Sequence, residues 1–294
     1  MLIHDCAPGI DDAFACATLV GLRRAPDAVV AVAVASNVGI YDVSRNAAGL
    51  VALLGLDIPV IRGAATGIAR PFPEGAPHVH GGDGLGGGAK FLPAGAYDQL
   101  PVDLGFWRGD VLATGPLTNV ANARGRQAPI NSVTWMGGTL RAGGNIVDFA
   151  EFNAYCDPEA AEVVLSSGTA CSIIPLDVTT SVPLTIYDVK RLEAVGPVAA
   201  AFVAADRFLQ AANEQGEYAY LHDAVAAVAL VNPGLFTWEQ HTLACDTSNG
   251  ERRGETTALV RGSGRRSVNV AVEVDVEAVH DLIMTAVLTA VAAR

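Results

Sequence analysis

HDCAPGIDDAFA, residues 4–15, reads as the end of a strand, a Pro-Gly turn and the start of a helix. Upstream, LIHDC (2–6) is a short run bounded by apolar residues; downstream, DDAFACATLVGLRR (11–24) places apolar residues at helical spacing. The same alternation continues outward. VVAVAVAS (29–36), VSRNAAGLVALLG (43–55) and IPVIRG (58–63) follow on one side of a loop, and DVLAT (110–114), PLTNVANA (116–123), SVTWMGG (132–138), DPEAAEVVLSS (157–167) and CSIIPLD (171–177) on the other. Strands alternating with helices predict right-handed crossovers and a mostly parallel, open α/β sheet flanked by helices. No internal repeat or low-complexity linker divides the chain, so a single domain over 1–294 is expected.

The C-terminal third predicts helices near 198–213 and 223–231. TTALVRG (256–262) and SVNVAVEVDV (267–276) then read as β-like and are expected to form a C-terminal β-hairpin, before the amphipathic helix EAVHDLIMTAVLTAVAA (277–293). Residues 63–100 are rich in Gly, Pro and His, and a loop this long is either functional or a surface excursion.

Composition narrows the partners. Of 294 residues 51% are hydrophobic and 17% charged, which suits a globular core, and the net charge of -12 offers no positive field to attract phosphates. Nucleic acid and anionic membranes are therefore disfavoured, and the ligand is expected to be neutral or held through a cation. The start MLIHDCAPG carries no basic segment followed by an apolar one, and the reading is a cytoplasmic protein. Five scattered cysteines without a CxxC pair predict buried free thiols.

Chemistry is expected at the first turn, because open α/β sheets bind ligands beyond the carboxyl ends of their strands. A single aspartate there would be an ordinary helix cap. Asp5, Asp11 and Asp12 gathered around one Pro-Gly turn instead suggest hard oxygen ligands for Ca²⁺ or Mg²⁺.

The segment resembles the N-terminal DxDPGxDDA motif of the inosine-uridine type nucleoside hydrolases. Collinear matches follow at SN (36–37), HGGDGLG (80–86), ATGPLTNVA (113–121), MGG (136–138), GNIVDFAEFNAYCDPEAA (144–161), HD (222–223) and RRGETT (252–257). The resemblance implies hydrolysis of the N-glycosidic bond of ribonucleosides to ribose and base, with Ca²⁺ binding the nucleophilic water and the ribose diol. It also implies Asp12, Asp223 and the carbonyl of Thr114 as metal ligands. Asp11, Asn37, Asn145, Glu151 and Asn153 match sugar-binding positions, and Met136 falls in the matching MGG. His222 matches the acid that assists base departure, and His80 a histidine beside the base. Tyr218, Tyr220 and Gln210 are further candidates for base contact. Family members commonly form homodimers or homotetramers.

Glu151 and Asn153 are two apart, which on an extended segment aims both side chains one way with Phe152 packed behind. The tryptophans (107, 135, 238) lie far in sequence from His80, which favours pyrimidine or broad base preference over a purine sandwich.

The chain departs from the family at Ala7, where the motif has the aspartate that serves as metal ligand and general base. General bases contribute about 10²- to 10⁴-fold in rate. A deliberate replacement that traps substrate, a lineage with altered or lost activity, and a stand-in role for Asp5 all fit this change. The alternative function is accordingly a ribonucleoside- or ribosyl-binding protein that no longer turns over. His4, where the family is usually apolar, is a second departure.

Overall fold

The computed structural model describes residues 1–31, 39–73, 80–97, 107–195, 212, 218–260 and 264–292. Its main sheet begins with β1 (Leu2–Cys6), which feeds through the Pro-Gly turn into α1 (Ile10–Gly21). β2 (Ala28–Ala31), α2 (Ile40–Leu53) and β3 (Val60–Arg62) build one wing. β4 (Gly109–Ala113), α3 (Thr118–Gly125), β5 (Ile130–Met136), α4 (Phe152–Cys156), α5 (Pro158–Ser166) and β6 (Ala170–Ile174) build the other. The short α6 (Leu176–Thr179), α7 (Ile186–Glu193) and α8 (His222–Val231) follow. The chain ends with β7 (Phe236–His241), β8 (Leu243–Cys245), β9 (Thr256–Ala258), β10 (Val268–Val274) and α9 (Val276–Ala292).

The eight strands are ordered β3-β2-β1-β4-β5-β6-β10-β7, all pairs parallel except β10 with β7. The order reverses between β1 and β4, whose register sets Asp5 beside Ala113. A crevice opens at the carboxyl ends of two such diverging strands, so this topology makes Cys6–Asp12 and Thr114 the candidate ligand site.

β1 is buried along its whole length because helices cover both faces of the sheet. α1, α8 and α9 pack together on one face, and Gly21 permits the close crossing: a Cβ there would lie 2.0 Å from the carbonyl oxygen of Ala286. On the other face Trp135, fully buried, donates Nε1–H to the Gly115 carbonyl at 3.1 Å and so fixes the loop after β4.

The C-terminal hairpin has other partners than expected. β9 pairs with β8 in a separate two-stranded sheet, while β10 enters the main sheet between β6 and β7. The alternation in SVNVAVEVDV fits a strand in either place, and tertiary neighbours decide. Thr256 Oγ1 donates to the Thr139 carbonyl at 2.7 Å and accepts from Thr139 N at 2.9 Å, tying the small sheet to the loop after β5. The helix expected near 198–213 lies almost wholly outside the described residues. Among those residues no helix is long and apolar enough to cross a membrane.

Candidate active site

The turn after β1 is organised by Asp12. Its Oδ2 accepts from Gly9 N at 2.8 Å, and Oδ1 accepts from Ala7 N at 3.2 Å and from the Thr114 hydroxyl at 2.6 Å. One carboxylate thus holds the loop against β4. Asp11 and Asp223, the latter at the start of α8, bring their carboxylate oxygens within 4.8 Å of those of Asp12. Burial, then repulsion from Asp11 and Asp12, pushes the Asp223 carboxyl well above the usual range. Burial likewise raises Asp11 and Asp12.

Three buried or half-buried acids this close repel one another unless protons or a cation intervene. The donors are hard oxygens, and Thr114, whose hydroxyl already bonds Asp12, offers a carbonyl that accepts a long 3.4 Å hydrogen bond from Asn153 Nδ2. The residues present therefore fit a hard divalent cation.

Glu151 and Asn153, two of the residues expected at the sugar, are brought together, though not as an extended pair. Glu151 is the N-cap of α4, accepting from Asn153 N at 2.7 Å, Ala154 N at 3.0 Å and Gly138 N at 2.8 Å. Asn153 lies inside the helix, because the N–H donors of its first turn capture the glutamate and start the helix earlier than an extended reading allows. Burial pushes the Glu151 carboxyl up to about 7, against those three N–H bonds. Asn153 Nδ2 bonds the Met136 carbonyl at 3.1 Å, so Met136, buried at the end of β5, meets the site through its backbone. Gly138 reaches Glu151 from a left-handed turn with φ of 77°. Asn145 is exposed, and its Oδ1 accepts from Phe152 N at 2.8 Å, which braces the loop before α4.

His222, half-buried at the start of α8, shares a 2.7 Å hydrogen bond between Nδ1 and the Thr179 hydroxyl. Burial, then the neighbouring His80, holds its imidazolium down to about 4. His80 is in electrostatic reach of both His222 and Asp12. The Tyr220 ring lies 5.6 Å from that of His222, whereas Tyr218 is largely exposed. Asn37 and Gln210 lie outside the described residues.

Ala7 is 3% exposed and packs with Cys156, Ala64, Phe72 and Phe152. Asp5 does not reach into its place, since its Oδ1 is held by Asn119 Nδ2 at 2.9 Å and burial pushes the carboxyl up to about 8. All five cysteines are buried and free.

Several organising residues escaped the sequence reading. Asp83 accepts from the N–H groups of Leu85, Gly87 and Ala89 and so orders the segment after His80. Asp157 caps α5 and also holds Ile68 N and Thr118 Oγ1. Their signals were local, an Asp-Gly turn and an Asp-Pro helix start. Thr179 carries no sequence signal, since it meets His222 only when α6 and α8 meet.

The family model for inosine-uridine preferring nucleoside hydrolase matches residues 2–281. Uridine nucleosidase 1 of Arabidopsis thaliana is 32% identical over 96% of this chain and 91% of its own length. Non-specific ribonucleoside hydrolase RihC of Escherichia coli is 32% identical over 93% of this chain and 92% of its own. Among solved structures, a purine-preferring ribonucleoside hydrolase from Gardnerella vaginalis superposes with a TM-score of 0.88 at 25% identity, covering 100% of this chain and 99% of that one.

Proposed function

The chain belongs to the inosine-uridine preferring nucleoside hydrolase family, and from that premise we propose that it hydrolyses the N-glycosidic bond of ribonucleosides, with pyrimidine or broad base preference and with Ca²⁺ as its metal. The observation that carries this reading is the meeting of Asp11, Asp12 and Asp223 within 4.8 Å at the point where strand order reverses. Asp12, Asp223 and the Thr114 carbonyl would hold the cation. When bound, it would supply Lewis-acid polarisation of the sugar diol and of the attacking water.

The chain's own groups do the rest. Asp11, Asn37, Glu151 and Asn153 supply the mixed acceptors and donors that orient hydroxyls. Glu151, already holding three N–H groups, contributes mainly by fixing Asn153 and the loop after β5. His222 is neutral at physiological pH, so it serves the departing base as a neutral hydrogen-bond donor, steadied by Thr179. His80 and Tyr220 border the same region.

The test is ribose release from uridine and inosine, with chelator and after Ca²⁺ is restored, in the wild-type chain and in Asp12→Asn. Calcium-dependent release that Asp12→Asn abolishes is expected; release indifferent to both would overturn the reading. The second reading, a ribonucleoside-binding protein with little turnover, is favoured by the apolar packing of Ala7. Tight nucleoside binding without ribose release would establish it.

A further inference from the structure

His4 has no task in the function proposed above, and its surroundings are unusual. The residue is 1% exposed, and its Nε2 lies 3.0 Å from the Thr114 hydroxyl. That hydroxyl spends its one proton on Asp12 Oδ1 at 2.6 Å, so it can only accept from His4. The neutral ring therefore carries its hydrogen on Nε2 and a bare lone pair on Nδ1. Nδ1 is buried and has no hydrogen-bond partner among the described residues. Pinning one ring N–H so that the other nitrogen is presented is how metal-binding histidines are oriented.

His4 and Cys6 are two apart on β1 and so share one face of the sheet. Ligand atoms of His4, Cys6 and Asp12 lie within 4.8 Å of one another. With Cys16 from α1 they border a cavity of about 10 Å³, closed by Pro8, Ala47, Leu50 and Val51. That is room for one atom-sized guest.

We propose that this cavity is a second metal site of thiophilic type, taking Zn²⁺ through His4, Cys6 and Asp12. Imidazole and thiolate select zinc, whereas Ca²⁺ requires six to eight oxygens that this apolar enclosure does not offer. Bond lengths of about 2.0–2.3 Å in a tetrahedron set ligand atoms roughly 3.5 Å apart, so the side chains must close by about 1 Å. Binding displaces the proton of the Cys6 thiol to solvent and leaves a thiolate on the metal. Asp12 is then shared, one carboxylate facing the hard oxygen cluster and the soft pocket behind it. The competing account, in which Cys6 and Cys16 are simply small apolar packing groups, leaves His4 Nδ1 unpaired.

The site does not depend on the hydrolase reading, and the test separates the two. The full chain is stripped of metal under reducing conditions and refolded with Co²⁺ as a spectroscopic stand-in for zinc. One Co²⁺ per chain with sulfur-to-cobalt charge-transfer absorption is expected, persisting in excess Ca²⁺ and displaced by Zn²⁺. Cys6→Ser should remove the band. His4→Leu restores an apolar residue, should fold normally by circular dichroism, and should weaken Co²⁺ binding at least about tenfold. Asp223→Asn, which changes a donor of the oxygen cluster and none of the thiophilic donors, should leave the band intact. No charge-transfer band in the wild-type chain overturns the proposal. So does a cobalt signal that survives Cys6→Ser but is lost in Asp223→Asn.

Discussion

Glu151 and Ala7 are linked through Phe152, and the fold treats their surroundings in opposite ways. Around Glu151 the backbone converges, with three N–H groups donated to one carboxylate. Around Ala7 side chains converge instead, and Phe72, Phe152 and Cys156 close over a methyl group. The first region is held by hydrogen bonds made within the chain itself. The second has no polar side chain to lose. Different interactions therefore maintain the two regions, so a change at one need not disturb the other.

The sharpest way to break this contrast is Ala7→Asp. A carboxylate placed there is expected to raise hydrolysis of uridine or inosine by about 10²- to 10⁴-fold, the range associated with a general base. It must also displace apolar neighbours, so in chelator the variant should melt below the wild-type chain, by about 1–3 kcal/mol in stability for an uncompensated polar group. Added Ca²⁺ should recover most of that loss. Unchanged turnover, measured by ribose release across both metal conditions, would mean that another group already acts as base.

The reverse attack is on Glu151. Truncation to Ala strands the N–H groups of Gly138, Asn153 and Ala154, each costing about 1–3 kcal/mol if water cannot reach it. Partial access of water makes a total near about 3 kcal/mol the expectation, read as a lowered denaturant midpoint together with weakened nucleoside binding. Asn153→Ala should be milder for folding, at about 1 kcal/mol, since its amide makes one good bond, 3.1 Å to the Met136 carbonyl. Its loss in nucleoside affinity, by calorimetry, should nonetheless match that of Glu151→Ala. If Asn153→Ala leaves affinity untouched, the residue belongs to the scaffold alone.

The smallest effect belongs to a contact remote from both regions, between His280 on α9 and Asp188 on α7, 3.0 Å apart. The Asp188 carboxylate raises the His280 imidazolium above its ordinary 6.5. Burial alone would lift Asp188, but the bonds from His280 and Thr185 more than offset it and set the carboxyl below 3.8. The raised histidine stabilises fully below its unfolded value and loses that contribution as pH rises through the folded one. The lowered aspartate stabilises above its unfolded value and loses its share as pH falls through the folded one. His280→Ala should therefore cost most between about pH 4 and 6.5. About 0.5–1 kcal/mol is expected after screening, fading by pH 9 in thermal melts. Equal penalties at pH 5.5 and 9 would remove the ionic account.

Local chemistry made β1, its turn and α1 legible, because Pro8, Gly9 and the paired aspartates act within a few residues of where they stand. The placement of the candidate site was legible for the same reason, since strand-helix alternation implies a switch in strand order. What escaped depends on contacts between distant segments. Glu151 reads equally as ligand or cap until Gly138 is seen to approach it. Asn145 reads as a sugar contact until its side chain is found bonded to Phe152 N. His4 looks like a misplaced polar residue until Cys16 and Asp12 arrive beside it from α1. The partner of 267–276 was undecidable for a strand whose alternation suits any neighbour.

The late insertion of β10 also bears on biosynthesis. β6 and β7 leave the ribosome before the strand that separates them, so while residues 175–267 are being made β6 has no partner on its outer side. An unpaired edge of sequence ACSII is the kind of surface on which nascent chains associate wrongly. The growing polypeptide must keep that gap open until Val268–Val274 emerges to fill it. Slowing translation ahead of that segment should raise the aggregated fraction more than an equal pause after it.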